Sequence, residues 1–187
     1  GDVQTYPVVE MEFHPTANQV EFVICPSNIS SSIEEKAQEI AKKTADAFGI
    51  AGLMAVEMFL TQEGDILVNE VAPRTHNSGH LTIESNYTSQ FEQHLRSVLD
   101  LPLGSTRIKC PAVMANVVGA DGFTGDVVYK GYDDLLGMEG VNIHIYGKKE
   151  TRPFRKMGHV TVVGPTLDEA REMAKIAKQH LIVESKQ

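Results

Sequence analysis

The 187-residue chain is 42% hydrophobic, enough to bury a core in one ordinary domain or two small ones. Its formal net charge of -8, with acidic residues spread along the chain, argues against a phosphate-tracking surface and a nucleic-acid partner, while local cationic sites remain possible. No apolar run approaches the roughly 18 residues of a membrane span, no signal pattern opens the chain, and Cys25 and Cys110 lie far apart in strand-like contexts as buried reduced thiols; a cytoplasmic protein with no membrane partner is expected.

The chain runs through Tyr6-Pro7-Val8-Val9-Glu10 straight into strand-like sequence without leader, cap or initiator methionine, which suggests a fragment of a longer protein. Residues 19–26 are β-branched and aromatic and close on Pro-Ser-Asn, predicting a strand that pairs antiparallel with 7–13. Ser31 and Ser32 each precede a glutamate by three, and Ile33, Ala37, Ile40, Ala41 and Phe48 then recur at helical spacing, so a helix is expected from about 32 to 47, ended by Gly49. Two apolar runs, 51–61 and 65–72, flank Gln62-Glu63-Gly64 and predict a hairpin. A capping box at Ser89 and Glu92 opens a short helix carrying Phe91, Leu95, Val98 and Leu99, stopped before Pro102. Residues 101–109 form a connector, dividing the chain into domains 1–107 and 108–187. Beyond it, 111–119, 141–146 and 159–163 are strand-like. Thr166 and Glu169 cap a helix containing Leu167, Ala170, Met173, Ala174, Ala177 and Leu181. The class is α+β.

Glu57 and Glu70 interrupt the two apolar strands of the expected hairpin, where an unpaired charge is expensive to bury. Pairing about the turn brings them near one another, and two carboxylates sharing a face call for a cation; oxygen-only ligands favour Mg²⁺ or Mn²⁺, with Asn69 able to add an amide oxygen. Each glutamate alone is compatible with a solvent-facing position on a half-exposed sheet. The run after Glu70, Val-Ala-Pro-Arg-Thr-His-Asn-Ser-Gly-His, tips the balance, because it is poor core and good anion-binding material. Arg74 offers a planar fork, Asn77 and Ser78 donate hydrogen bonds, and Gly79 lets backbone approach a ligand. His76 and His80 have i, i+4 spacing, but glycine and turn composition oppose a helix, so hydrogen bonding or proton handling is favoured over zinc.

These residues resemble a known family. Val56-Glu57-Met58-Phe59 with Val68-Asn69-Glu70-Val71-Ala72-Pro73-Arg74 resembles the metal-binding end of ATP-grasp enzymes, and Pro-Arg-Thr-His-Asn-Ser-Gly-His is similar to the form in the 5-(carboxyamino)imidazole ribonucleotide synthases. A second match lies in Tyr146-Gly147-Lys148-Lys149-Glu150 followed by Arg152-Pro153-Phe154-Arg155-Lys156-Met157-Gly158-His159, although a solvated basic hairpin tip would have the same composition. The family commonly has glycine at the place of Phe154. The resemblance implies the C-terminal half of an ATP-grasp domain, an antiparallel sheet with helices, followed by a small α+β domain. It further implies ATP and Mg²⁺ as cofactors, bicarbonate and 5-aminoimidazole ribonucleotide as substrates, and a homodimer. Glu57 and Glu70 would hold the metal; Asn69, Glu70 and, through an alignment with one inserted residue, His14 would contact nucleotide. Arg74, His76 and Asn77 would gather bicarbonate and the developing carboxyphosphate, while Ser78, Lys148 and Arg155 would bind the ribonucleotide. The N-terminal α/β domain and the lid of such enzymes have no counterpart in the sequence, so turnover by the chain alone is not expected. Two alternatives stand: another ATP-grasp carboxylate–amine ligase, or a non-catalytic binding or assembly module that keeps the fold.

Overall fold

The computed structural model describes residues 2–186. In chain order they form β1 (Glu10–Phe13), β2 (Val20–Cys25), α1 (Ser31–Phe48), β3 (Ala55–Leu60), β4 (Ile66–Ala72), a 3-10 turn (Asn77–Gly79), α2 (Thr82–Ser85), α3 (Gln90–Val98), β5 (Ala112–Val118), β6 (Gly125–Lys130), α4 (Tyr132–Leu136), β7 (Val141–Ile145), β8 (Glu150–Thr151), β9 (Lys156–Val163), α5 (Leu167–His180) and β10 (Ile182–Ser185). Two compact units result: Cys25–Lys109 with the segment ending at Glu10, and Met11–Ile24 with the chain from Cys110 onward.

In the first unit, α1 begins one residue earlier than its serine–glutamate spacing predicts. Ser30 is the N-cap, accepting from the Ile33 amide, and Gly49 closes the helix in the left-handed conformation. Neither expected capping box forms: Ser31 and Ser32 already lie inside the helix, and Glu34 Oε1 accepts the Val8 amide at 3.1 Å. The strand predicted from residue 7 starts only at Glu10, and the extended segment before it is tied to α1, where Gln38 Nε2 donates to the Tyr6 carbonyl at 3.4 Å, and to the bend before α3, where Tyr6 Oη donates to the Thr88 carbonyl at 3.0 Å. The β3–β4 hairpin forms as expected, its turn closed by the Thr61 amide on the Asp65 carbonyl at 2.9 Å with Gly64 at φ 85°. Its apolar residues are less buried than their density suggests, Phe59 and Leu67 each being 55% exposed, since a two-stranded sheet leaves much of its surface uncovered. Ser89 caps α3 through the Glu92 amide, as the motif predicts. The 3-10 turn and α2, both one turn long, have no periodic signal and were not expected.

The second unit is built on a five-stranded sheet in the order β1-β2-β5-β9-β7, with β5 antiparallel to β9 and β9 antiparallel to β7. Helix α5 lays Ala170, Ala174 and Ala177 on the sheet at helical spacing, over Val113, Val117, Met157, Val160 and Val162. Thr166 caps α5 as expected, but Leu181 lies past its end, as the C-cap residue. The strand expected from 159 starts at Lys156. A second sheet, β10-β6-β8, and α4 escaped sequence reasoning, because each contributing segment is short and mixed in polarity. Arg171 and Lys178 of α5 pair with Glu12 and Glu21, anchoring β1 and β2 to this unit. Cys25 and Cys110 are both free thiols. Burial, then the charge of Glu34, pushes the Cys25 thiol up to about 12, whereas Cys110 is half-buried in the bend before β5 rather than in a strand.

Candidate functional site

The hairpin aligns its two carboxylates. Glu57 lies directly across the ladder from Glu70, and the register shifts immediately beyond, so that Met58 faces Val68. Asn69 is the extra residue of a β-bulge. Had the ladder continued regularly from the turn, Asn69 would face Glu57 and Glu70 would point to the opposite side; the bulge turns Glu70 onto the face of Glu57. The Glu57 side chain is 20% exposed, while Glu70 and Asn69 are exposed, so the expectation of a buried, unneutralised charge applies to Glu57 alone. What unites the pair is register rather than burial.

Beyond β4 the chain brings an imidazole to the same carboxylate. His76 Nε2 lies 3.7 Å from Glu57 Oε1, and the His76 side chain is 15% exposed. Its other nitrogen caps the 3-10 turn: the Ser78 amide donates to Nδ1 at 3.4 Å, and Ser78 Oγ lies 2.9 Å from the same atom. An Nδ1 that accepts an N–H leaves the ring proton on Nε2, facing the glutamate. Glu57, Glu70, His76 and Ser78 are therefore gathered within the first unit. Arg74 is exposed, and its Nη1 donates to the Thr75 carbonyl at 3.0 Å. Asn77 opens the 3-10 turn, its carbonyl accepting the His80 amide at 3.1 Å.

Lys148 and Arg155 belong to the second unit, on the loops flanking β8. Lys148 donates to the Lys156 carbonyl and sits 5.7 Å from the centre of the Tyr146 ring; Arg155 Nη1 donates to the Glu150 carbonyl at 2.8 Å. Burial, then Arg155 and Arg152, holds the Lys148 ammonium below its ordinary range. Phe154 adopts φ 61°, a left-handed conformation that glycine takes at less cost, and its amide donates to the Gly119 carbonyl at 2.9 Å. His14, 6.3 Å from the Phe154 ring centre, is in this unit too, and its Nδ1 accepts the amides of Thr16 and Ala17 in a local turn.

Sequence reasoning missed the residues that hold these groups. Gln90 is 2% exposed in the first turn of α3 and bonds the loop that carries His76 and His80. Around Lys148, Tyr146 Oη lies 3.0 Å from His159 Nδ1, and His159 stacks on His144 at 4.4 Å. No spacing marks a buried glutamine after a helix cap. The alternation of His144, in β7, with Tyr146, just past its end, was the one available signal for the second group.

Two stretches of the chain each match a known family. The ATP-grasp domain family matches residues 1–91, and the phosphoribosylaminoimidazole carboxylase C-terminal domain family matches 112–173. N5-carboxyaminoimidazole ribonucleotide synthase of Bacillus subtilis is 42% identical over 170 residues, covering 90% of this chain and 42% of the relative. The chloroplastic phosphoribosylaminoimidazole carboxylase of Vigna aconitifolia is 44% identical over 172 residues, covering 89% and 30% respectively. The crystal structure of N5-carboxyaminoimidazole ribonucleotide synthetase from Thermotoga maritima superposes with a TM-score of 0.91 at 48% identity, over 100% of this chain and 50% of that one. The Aspergillus clavatus N5-carboxyaminoimidazole synthase in complex with ADP and 5-aminoimidazole ribonucleotide gives 0.79 at 39% identity, over 89% and 44%. The chain thus spans half or less of the length of each, and it belongs to the N5-carboxyaminoimidazole ribonucleotide synthase family of ATP-grasp proteins.

Proposed function

We propose that the intact protein carboxylates 5-aminoimidazole ribonucleotide with bicarbonate at the expense of ATP in purine biosynthesis. Bicarbonate attacks the γ-phosphorus of ATP, giving carboxyphosphate and ADP; the exocyclic amine then takes the carboxyl carbon, directly or as released CO₂, and phosphate leaves. Family membership supports the reaction, and the register pairing of Glu57 with Glu70 is the observation that carries the site. Two carboxylates side by side on one face, next to the Asn69 amide, make an oxygen-only donor set that fits Mg²⁺ or Mn²⁺. Bound by Glu57 and Glu70, such an ion would neutralise charge on the nucleotide phosphates.

The protein's own residues position reactants and stabilise charge, as phosphoryl transfer requires. Arg74, His76 and Asn77 supply donors for bicarbonate and for the growing negative charge on its oxygens. His76 is prepared for this, since Ser78 bonds Nδ1 and leaves the ring proton on Nε2. Asn69 and His14 contact nucleotide. In the second unit Lys148 and Arg155 bind the ribonucleotide phosphate; in the first, Ser78 offers a hydroxyl for substrate. Family resemblance supports a cytoplasmic homodimer, and among the described residues no helix is long and apolar enough to cross a membrane.

Bicarbonate-dependent ATP hydrolysis stimulated by the ribonucleotide tests the proposal in the intact protein. Glu70→Ala is expected to lower the rate at least about 10²-fold, corresponding to about 3 kcal/mol of lost charge stabilisation. An active Glu70→Ala variant would remove the metal assignment, and ATP hydrolysis indifferent to bicarbonate would remove the reaction.

A further inference from the structure

Gln90 makes a closed set of hydrogen bonds within the first unit. Its Oε1 accepts the His76 amide at 2.9 Å. Because a backbone N–H can only donate, this contact fixes which end of the side-chain amide is oxygen. Nε2 then donates to the His76 carbonyl at 2.8 Å and lies 2.8 Å from His80 Nδ1. An amide nitrogen has two protons and no acceptor lone pair, so His80 Nδ1 must be the acceptor. The neutral His80 ring consequently carries its proton on Nε2. The backbone N–H of Gln90 donates to Thr82 Oγ1 at 2.9 Å, and that hydroxyl donates to the Gly79 carbonyl. Gly79 leaves room for the whole arrangement, since a Cβ there would come within 2.6 Å of Gln90 Oε1. The His80 ring stacks on Phe91, with centres 5.4 Å apart and planes at 26°.

We propose that Gln90 is a positioning residue: it clamps the His76–His80 loop through both backbone groups of His76 and fixes His80 in the Nε2–H tautomer. It touches no reacting atom. Its action passes through His76, whose ring faces Glu57, and through His80. The effect on turnover rests on the function proposed above, whereas the tautomer does not.

Gln90→Glu is the discriminating variant. A carboxylate has the same shape and still accepts the His76 amide, but it cannot donate to the His76 carbonyl or to His80 Nδ1. It rewards a proton on Nδ1 instead. Long-range ¹H–¹⁵N spectra of the intact protein labelled with ¹⁵N-histidine, with His80 assigned by loss of its signals in His80→Asn, report which nitrogen is protonated. The native protein is expected to show His80 with bare Nδ1 and protonated Nε2, and Gln90→Glu to show Nδ1 protonated. In the carboxylation assay the variant should lose kcat on the order of 10²-fold, the usual cost of a misplaced group. Native His80 protonated at Nδ1, or an unchanged pattern in the variant, overturns the clamp; the shift without loss of kcat overturns its positioning role. If Gln90→Glu does not fold, the native pattern and Gly79→Ala, whose Cβ must displace the amide, decide in its place. A native protein with the expected pattern but no carboxylation supports the clamp and counts against the proposed reaction alone.

Discussion

Gly119 follows β5 at a point where the basic loop of the second unit is fastened. Its amide donates to the Arg155 carbonyl at 2.9 Å, and its carbonyl accepts the Phe154 amide at the same distance. A Cβ on residue 119 would fall inside the van der Waals envelopes of the Arg152 carbonyl oxygen and of Thr151 Oγ1. Thr151 is 2% exposed and cannot retreat into solvent, and the Arg152 oxygen belongs to the backbone, so it moves only if the chain moves. Gly119→Ala must therefore move the loop or strain the strand. Overpacking of this kind costs about 1–3 kcal/mol, and each of the two hydrogen bonds contributes about 0.5–1.5 kcal/mol if lost. Overpacking together with the loss of one bond and part of the second gives about 2–5 kcal/mol, a fall in Tm of about 4–20 °C at the roughly 2–4 °C per kcal/mol of a chain of 150–250 residues. Because Arg155 and Phe154 hang from this glycine, the KM for the ribonucleotide should rise about tenfold, equivalent to about 1.4 kcal/mol of binding, and by more than the KM for ATP, which senses the loop only through His14. Gly122→Ala serves as control. Gly122 has φ 82° with nothing within 4 Å of its added carbon, so it should cost only the left-handed penalty of about 1–2 kcal/mol and leave both KM values alone. Thermal melts and steady-state kinetics on the two variants decide the matter. A Gly119→Ala protein with native Tm and native KM would refute the reasoning about the fastening of the loop.

Three further expectations follow from single contacts. Ser30→Ala should cost about 1 kcal/mol in urea denaturation, against only a few tenths for Ser31→Ala, since Ser30 caps α1; equal losses would reassign the cap. At position 154, where φ is 61°, Gly should be more stable than Ala by about 1 kcal/mol, both variants lacking the ring that meets His14. Lys148, with a pKa below 10.5 through burial and its two arginine neighbours, loses its proton in the folded protein at lower pH than in the unfolded chain. Its contribution to stability therefore rises with pH between the folded value and 10.5, while binding of a phosphate, which needs the ammonium, weakens over the same window. The KM for the ribonucleotide should climb there, and Lys148→Arg should flatten the climb; a pH-independent KM in the native protein would separate Lys148 from phosphate binding.

The parts of the fold legible in the sequence were those written in local chemistry. Alternating apolar runs around Gln62-Glu63-Gly64 give the hairpin, and Ser89 and Thr166 give helix starts, because each signal lies within a few residues of what it specifies. The five-stranded sheet was not legible in the same way. It joins β2 to β5 across most of the first unit's sequence, and strand periodicity carries no information about which distant strand becomes a neighbour. The capping serine of α1 was misplaced for a related reason: three consecutive serines offer equivalent local chemistry, and the choice was made when Glu34 bonded Val8 rather than a helix amide.

The candidate site divides along the same line. Glu57 and Glu70 stood out because charged side chains in apolar strands are costly unless used, and His76 because the run after Glu70 is poor core material, whereas Lys148 and Arg155 stood out only through the resemblance of their basic run to a family motif. Gln90 and Gly119 are residue types that thousands of unremarkable positions carry, and only the tertiary structure makes one a clamp and the other a fastening point. The bulge at Asn69 belongs to this second class, and it has the larger consequence. Two glutamates thirteen positions apart across a three-residue turn have the wrong parity to share a face in a regular hairpin, so a strict reading of strand alternation would have separated them. One unpaired residue reverses that outcome, turning Glu70 to the side of Glu57 and leaving the Asn69 amide beside it. The pairing of the carboxylates is therefore a property of the backbone irregularity as much as of the two side chains, and a family that needs both oxygens on one face has a chemical reason to keep the ladder broken there.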